Sequence, residues 1–148
     1  MSTDPSPEPR VLDPQVLESL RSLQEPGDPD FALEIVQLFV ADSAKRLALV
    51  HDTAARGELP ALGEIAHLVK GSAGLIGAER MVSAALQLEQ AARQGVRDPA
   101  AAPSPATIVS LVDQLAHAFA EVRGAFAKLG MIESGAEGAP GTQGSKVP

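Results

Sequence analysis

His67 is followed by Lys70 at the spacing of one helical turn, and then by Gly71, Gly74 and Gly77 at three-residue intervals. A neutral imidazole nitrogen is a good nucleophile toward phosphorus. A lysine one turn along offers a mobile ammonium where an anion attached to the ring would lie. The glycines need a reason, because each costs about 1 kcal/mol relative to alanine in a helix interior. They have one if another macromolecule must bring its backbone close to the imidazole, since side chains four and seven residues on would obstruct it. Histidine, neighbouring lysine and open approach together describe a phosphoryl-carrying site.

Other chemistries find less support. The chain has no cysteine, which removes thiolate metal sites, disulfides and cysteine nucleophiles. Glu64 and His67 form an E-x-x-H pair like those of di-iron bundles, but His51 and His117 supply no second one. Neither a nucleophile elbow nor a G-x-x-x-x-G-K-[ST] loop is present, so the chain is not a self-sufficient kinase. A formal net charge of -7 argues against nucleic acid as a partner. No apolar run reaches the roughly 20 residues of a membrane span. The opening MSTDPSPEPR contains no apolar stretch of a signal peptide, so a cytoplasmic location is expected.

The elements that must position His67 are helical throughout. Asp13-Pro14 and Asp28-Pro29 each place a capping aspartate before a proline suited to a first helical turn. The first opens a short helix carrying Val16, Leu17, Leu20 and Leu23. The second opens a long helix with a core stripe of Phe31, Ile35, Leu38 and Phe39, continued by Leu47 and Val50, and ended by Gly57-Glu58-Leu59-Pro60. A third helix is predicted from about Ala61 to Ile76 and a fourth from about Glu79 to Gln94. After a linker from Gly95 to Pro105, Ile108, Leu111, Val112, Leu115, Phe119, Val122, Phe126 and Leu129 mark the last.

On a helical wheel of the third helix, Leu62, Ile65, Leu68, Val69, Leu75 and Ile76 form an apolar face opposite His67. His67 then occupies the middle of the outward face, between Lys70 and the two glycines Gly71 and Gly74. Ser72 falls inside the apolar face, and its hydroxyl is expected to bond back to a carbonyl of the preceding turn. Gly77 is expected to end the helix in the left-handed conformation. The pattern is all-α: an antiparallel four-helix bundle with a short additional N-terminal helix. Residues 1–10 are expected to be a disordered N-terminal tail, 11–129 the domain, and 130–148 a flexible C-terminal tail.

His67-Leu68-Val69-Lys70-Gly71-Ser72-Ala73, with Gly77-Ala78 after it, resembles the H-x-x-K-G-S-[SA]…G-A signature of histidine-containing phosphotransfer (HPt) domains. The resemblance extends over roughly Val11 to Leu129 and departs at Leu75, where many relatives have asparagine. It implies a four-helix bundle with an added N-terminal helix, phosphorylation of His67 on Nε2, and a phosphoryl-holding role for Lys70. It places Glu89 where the family has a Glu or Gln that bonds the other ring nitrogen, and Arg93 where it has a basic residue. Arg93 is equally readable as an ion-pair partner of Glu89 four residues before it. The implied function is a free-standing phosphorelay intermediate, working as a monomer with response-regulator receiver domains and a hybrid sensor histidine kinase. Mg²⁺ would sit on the receiver, with none in this chain. The alternative is an HPt-like adaptor that docks receivers without carrying phosphate. Leu17 and Leu20 on the first helix are expected to contribute the docking patch.

Overall fold

Capping side chains set where three of the helices begin. The computed structural model describes residues 8–27 and 30–133, and their regular structure is entirely helical. Helix α1, Pro14–Ser22, starts as predicted: the Asp13 carboxylate accepts the Gln15 N–H at 3.0 Å. Helix α2, Phe31–Ala55, is capped by Asp30, which accepts the Leu33 N–H at 3.0 Å. The expected cap Asp28-Pro29 lies outside the described residues. Helix α3, Leu59–Ile76, begins two residues before the prediction, because Pro60 lies in the first turn, where its missing N–H has no partner to lose.

Helix α4, Glu79–Arg97, runs three residues past the predicted end. Gly95 is therefore not linker but a point of close approach: a side chain there would meet Leu59 Cδ1 at 2.5 Å and Ala102 Cβ at 3.2 Å. A 3₁₀ turn, Pro99–Ala101, leads to helix α5, Pro105–Lys128, capped by Ser104 on the Thr107 N–H.

The short connections make successive helices antiparallel. α3 packs most extensively on α4, α2 on α3 and α4 on α5, while α2 meets α5 to close a four-helix ring. Phe39 of α2 lies edge-on to both Phe119 and Phe126 of α5, with centroids 6.4 Å away in each case. Each such pair adds about 0.5–1.5 kcal/mol beyond burial.

The core departs from the predicted stripes on α2 and at the end of α5, and α1 buries a residue expected to face partners. On α2 the buried face is Ala32, Val36, Phe39, Ser43, Leu47 and Val50, and Phe31 and Leu38 are exposed. Only that face stays continuous at 3.6 residues per turn over the whole helix, and its small members escape a count of large apolar residues. At the end of α5, Leu129 is exposed; the chain reverses at Gly130 and buries Met131 in its place. On α1, Leu17 is buried and so is not an open docking residue, while Leu20 is partly buried and packed against the core. They are what holds this short helix to the bundle.

The turn between α3 and α4 is stitched to the N-terminal segment. Gly77 adopts φ 80°, and a Cβ there would lie 2.9 Å from Val16 Cγ2. The Ala78 N–H donates to Ala73 O, and Gly77 O accepts the Asp13 N–H at 2.8 Å. Arg10 holds Glu79 through its backbone N–H and its guanidinium, and its carbonyl accepts the Arg80 N–H. The ordered fold thus extends past both limits of 11–129, to Arg10 and to Met131. The remainder of the expected tails, residues 1–7 and 134–148, lies outside the described residues.

Candidate functional site

The buried face of α3 consists of Leu62, Gly63, Ala66, Val69, Ala73 and Ile76. On the wheel this face centres about 120° from His67, not opposite it. Leu68 and Leu75, predicted to be buried, are 52% and 81% exposed. The cause is the small residues: Gly63, Ala66 and Ala73 let α4 approach closely, and a Cβ on Gly63 would lie 3.6 Å from that of Ala92. His67 accordingly stands at the margin of the outward face, beside α4, rather than in its middle.

That margin brings the imidazole to Glu89. His67 Nδ1 lies 2.9 Å from Glu89 Oε2. An ionised carboxylate only accepts, so Nδ1 carries the hydrogen and Nε2 keeps its lone pair. The His67 side chain is 56% exposed and that of Glu89 only 7%. Lys70 Nζ lies 2.8 Å from Glu89 Oε1, as a close charge pair without hydrogen-bond alignment. Arg93 Nη2 lies 3.1 Å from Oε2, the oxygen that also receives His67. Burial pushes the Glu89 carboxyl upward, but Lys70, His67 and Arg93 outweigh it and hold its pKa below the usual 4.5. The arrangement is an ionised, mostly buried carboxylate that orients an exposed imidazole.

The predicted residues divide accordingly. His67, Lys70 and Glu89 converge. Arg93 joins them as the ion-pair partner of Glu89, with its aliphatic stem over Gly63. Gly71 and Gly74 are exposed, and a Cβ would meet nothing within 4 Å at Gly71 and only Val82, at 3.9 Å, at Gly74. Ser72 does not bond back to its own helix: its Oγ accepts from Arg46 Nη1 at 2.8 Å, linking α3 to α2. Small size and a nearby polar partner explain why it tolerates the seam. Gly77 ends the helix as expected, Leu17 lies in the core and Leu20 packs against it partly buried.

Arg46 and Gly63 were not singled out by sequence reasoning. Nothing in the local pattern marks Arg46, because its partner is on another helix. Gly63 was legible as a further glycine on α3, one turn before His67.

Known proteins resemble this chain in sequence and in fold. Over 73 residues the chain is 37% identical to histidine-containing phosphotransfer protein 2 of Arabidopsis thaliana, covering 47% of this chain and 46% of that protein. It thus spans about half the length of that curated relative. The crystal structure of histidine-containing phosphotransfer protein B from Pseudomonas aeruginosa superposes with a TM-score of 0.68 at 30% identity, over 80% of this chain and 93% of that one. A rice structure at 19% identity and TM-score 0.67, over 80% of this chain and 79% of that one, shares the fold. The Hpt domain family pattern matches residues 34–125. Running from the first turn of α2 to the last turn of α5, that match takes in both partners of the His67–Glu89 bond, and the chain belongs to the Hpt domain family.

Proposed function

We propose that this chain is a phosphorelay intermediate, in which His67 accepts a phosphoryl group from one receiver-domain aspartate and yields it to another. The observation that carries this reading is the 2.9 Å bond from His67 Nδ1 to Glu89 Oε2, which leaves an exposed Nε2 as the nucleophile. Nε2 attacks phosphorus; the N–P bond forms as the P–O bond to aspartate breaks, and the aspartate leaves as a carboxylate. The ring retains Nδ1–H and becomes positively charged, facing the Glu89 carboxylate. Transfer to the second receiver reverses these steps.

Lys70 supplies the opposite sign. In the resting chain it pairs with Glu89 Oε1. An ion pair at 4 Å is worth about 1 kcal/mol in water and about 4 kcal/mol near a protein surface. Exchanging one carboxylate for an incoming phosphoryl group is therefore nearly even, and Arg93 stays behind on Glu89. Positioning and charge do the catalysis, as in phosphoryl transfer generally. Mg²⁺ belongs on the receiver in this reading, and no residue of this chain is assigned to it.

Hpt proteins of phosphorelays interact with receiver domains and kinases. For this chain the donors and acceptors are receivers, including that of a hybrid sensor histidine kinase, met by a monomer in the cytoplasm. Among the described residues no helix is long and apolar enough to cross a membrane.

The test is labelling from a phosphorylated receiver. His67→Gln is expected to abolish an acid-labile, alkali-stable label while leaving helicity unchanged, because the side chain is exposed. A label that persists on His51 or His117 overturns the assignment. Receiver binding with no label on the unaltered chain identifies an adaptor instead.

A further inference from the structure

Arg46 is the guanidinium that the relay chemistry leaves unused. It extends from α2 to α3, where Nη1 donates to Ser72 Oγ at 2.8 Å. Among the described residues it forms no ion pair, although Asp42 stands one turn before it on the same helix. Arg10, Arg56, Arg80 and Arg93 pair with carboxylates, whereas Arg21 and Arg97, like Arg46, do not among the described residues. Of these three only Arg46 is tied to a second helix of the bundle, α3. Nor are acids scarce in a chain of net charge -7. A guanidinium has five N–H donors, so one hydroxyl leaves most of its donors unused and its charge uncompensated.

Its surroundings are apolar and open. Leu68 and Leu75 bracket Ser72 on α3 and are 52% and 81% exposed, while Leu38 and Leu49 bracket Arg46 on α2 and are 62% and 51% exposed. The Arg46–Ser72 bond sets the register of the antiparallel pair. In that register Leu49 lies toward the Leu68 end of the pair and Leu38 toward the Leu75 end. Leu68 follows His67 in the chain but projects about 100° away from it, so the patch lies on the same helix as the imidazole, on the flank toward α2. Arginine is enriched at the energetic centres of interfaces, and here exposed leucines stand on both helices near it, with Asp42 and Lys45 on the same stretch of α2.

Building on the relay reading, we infer that Arg46, held in place by Ser72, is the specificity-determining anchor for a carboxylate presented by the docking receiver domain. Already fixed by Ser72, the guanidinium loses little further freedom on binding. The leucine rim excludes water around the pair and strengthens it. Contact with Arg46 also orients the receiver along α3, bringing its aspartate over His67. The charge is thus an element of partner choice and not of phosphoryl chemistry.

The experiment uses the full chain with Arg46→Glu, Arg46→Lys and Ser72→Ala, one phosphorylated receiver, and phosphoramidate as a small donor that needs no docking. Arg46→Glu is expected to weaken receiver affinity about tenfold or more and to flatten its salt dependence. Arg46→Lys retains part of the affinity, and Ser72→Ala loses about threefold, because the guanidinium is merely loosened. Phosphoramidate labels His67 at the same rate in all four proteins. Receiver affinity of Arg46→Glu within about twofold of the unaltered chain at low salt overturns the inference. Equal slowing of phosphoramidate labelling also overturns it, since Arg46 would then support the site and not docking. If the unaltered chain takes label from neither donor, the relay reading fails and takes this inference with it.

Discussion

On the flank of α3 that faces α4, charges find their partners inside the chain. His67, Lys70 and Arg93 all converge on the Glu89 carboxylate, which is itself almost wholly buried. On the flank that faces α2, Arg46 has only a hydroxyl among the described residues, and Leu38, Leu49, Leu68 and Leu75 are each more than half exposed. One helix therefore separates two tasks. Orientation of the nucleophile is settled internally and so holds before any partner arrives, whereas recognition is left unsatisfied and waits for another molecule. The glycines lie between these flanks, at Gly71 and Gly74, where neither side requires a side chain.

The sharpest way to break this division is to remove the carboxylate. Glu89→Leu is expected to slow single-turnover transfer about 100-fold, the upper range for losing a residue that orients a reactive histidine. Receiver affinity should hardly change. Glu89→Gln keeps an acceptor for Nδ1–H and stays within about tenfold of the unaltered rate. A Glu89→Leu variant that transfers normally once saturated, but binds poorly, would merge the two flanks into one docking surface.

The glycines sharpen the contrast at intermediate scale. Gly77→Ala must place a side chain at φ 80° against Val16, and is expected to lose about 1–3 kcal/mol of stability. Gly71→Gln meets no neighbour and trades glycine for a better helix former, so it should gain about 0.5 kcal/mol. Yet it should transfer more slowly, because bulk now stands beside His67. Thermal melts and transfer kinetics on both proteins check this, and unchanged transfer in Gly71→Gln would sink the steric role.

The smallest effect is on acid stability. The folded pKa of Glu89 lies below its ordinary 4.5, so its charged form is favoured by folding. That stability is complete above pH 4.5 and is lost as pH falls through the depressed value. In Glu89→Gln, urea titrations below pH 4.5 should show a shallower decline than in the unaltered chain. Parallel declines would mean that the carboxylate draws no net stability from Lys70, Arg93 and the His67 hydrogen bond.

Helix number and order were legible from periodicity, and His67 and Lys70 from their spacing, because these are local properties of the chain. What remained hidden depends on neighbours. The wheel weighted Leu68 and Leu75 as core by hydrophobicity, while the packing preferred the small Gly63, Ala66 and Ala73. That preference turned α3 enough to move His67 from mid-face to the α4 margin. The Lys70–Glu89 pair and the Arg46–Ser72 bond both cross between helices, so no spacing along one helix reveals them. Leu17 was misplaced for a similar reason: a short helix retains its position only by burying such a residue.

Methyl groups and a bare Cα act as the ruler of this site. Gly63 faces Ala92, and Ala66 and Ala85 are fully buried in the same bundle core. The span from one backbone to the other therefore suits a glutamate side chain reaching an imidazole. Larger residues there would cost about 1–3 kcal/mol in overpacking and spread the helices. The acceptor, lysine and carboxylate could all remain in such a protein while the nucleophile lost its orientation. A chain can thus keep every letter of a phosphoacceptor signature and still be mute, and the residues that decide between the two have no chemistry of their own.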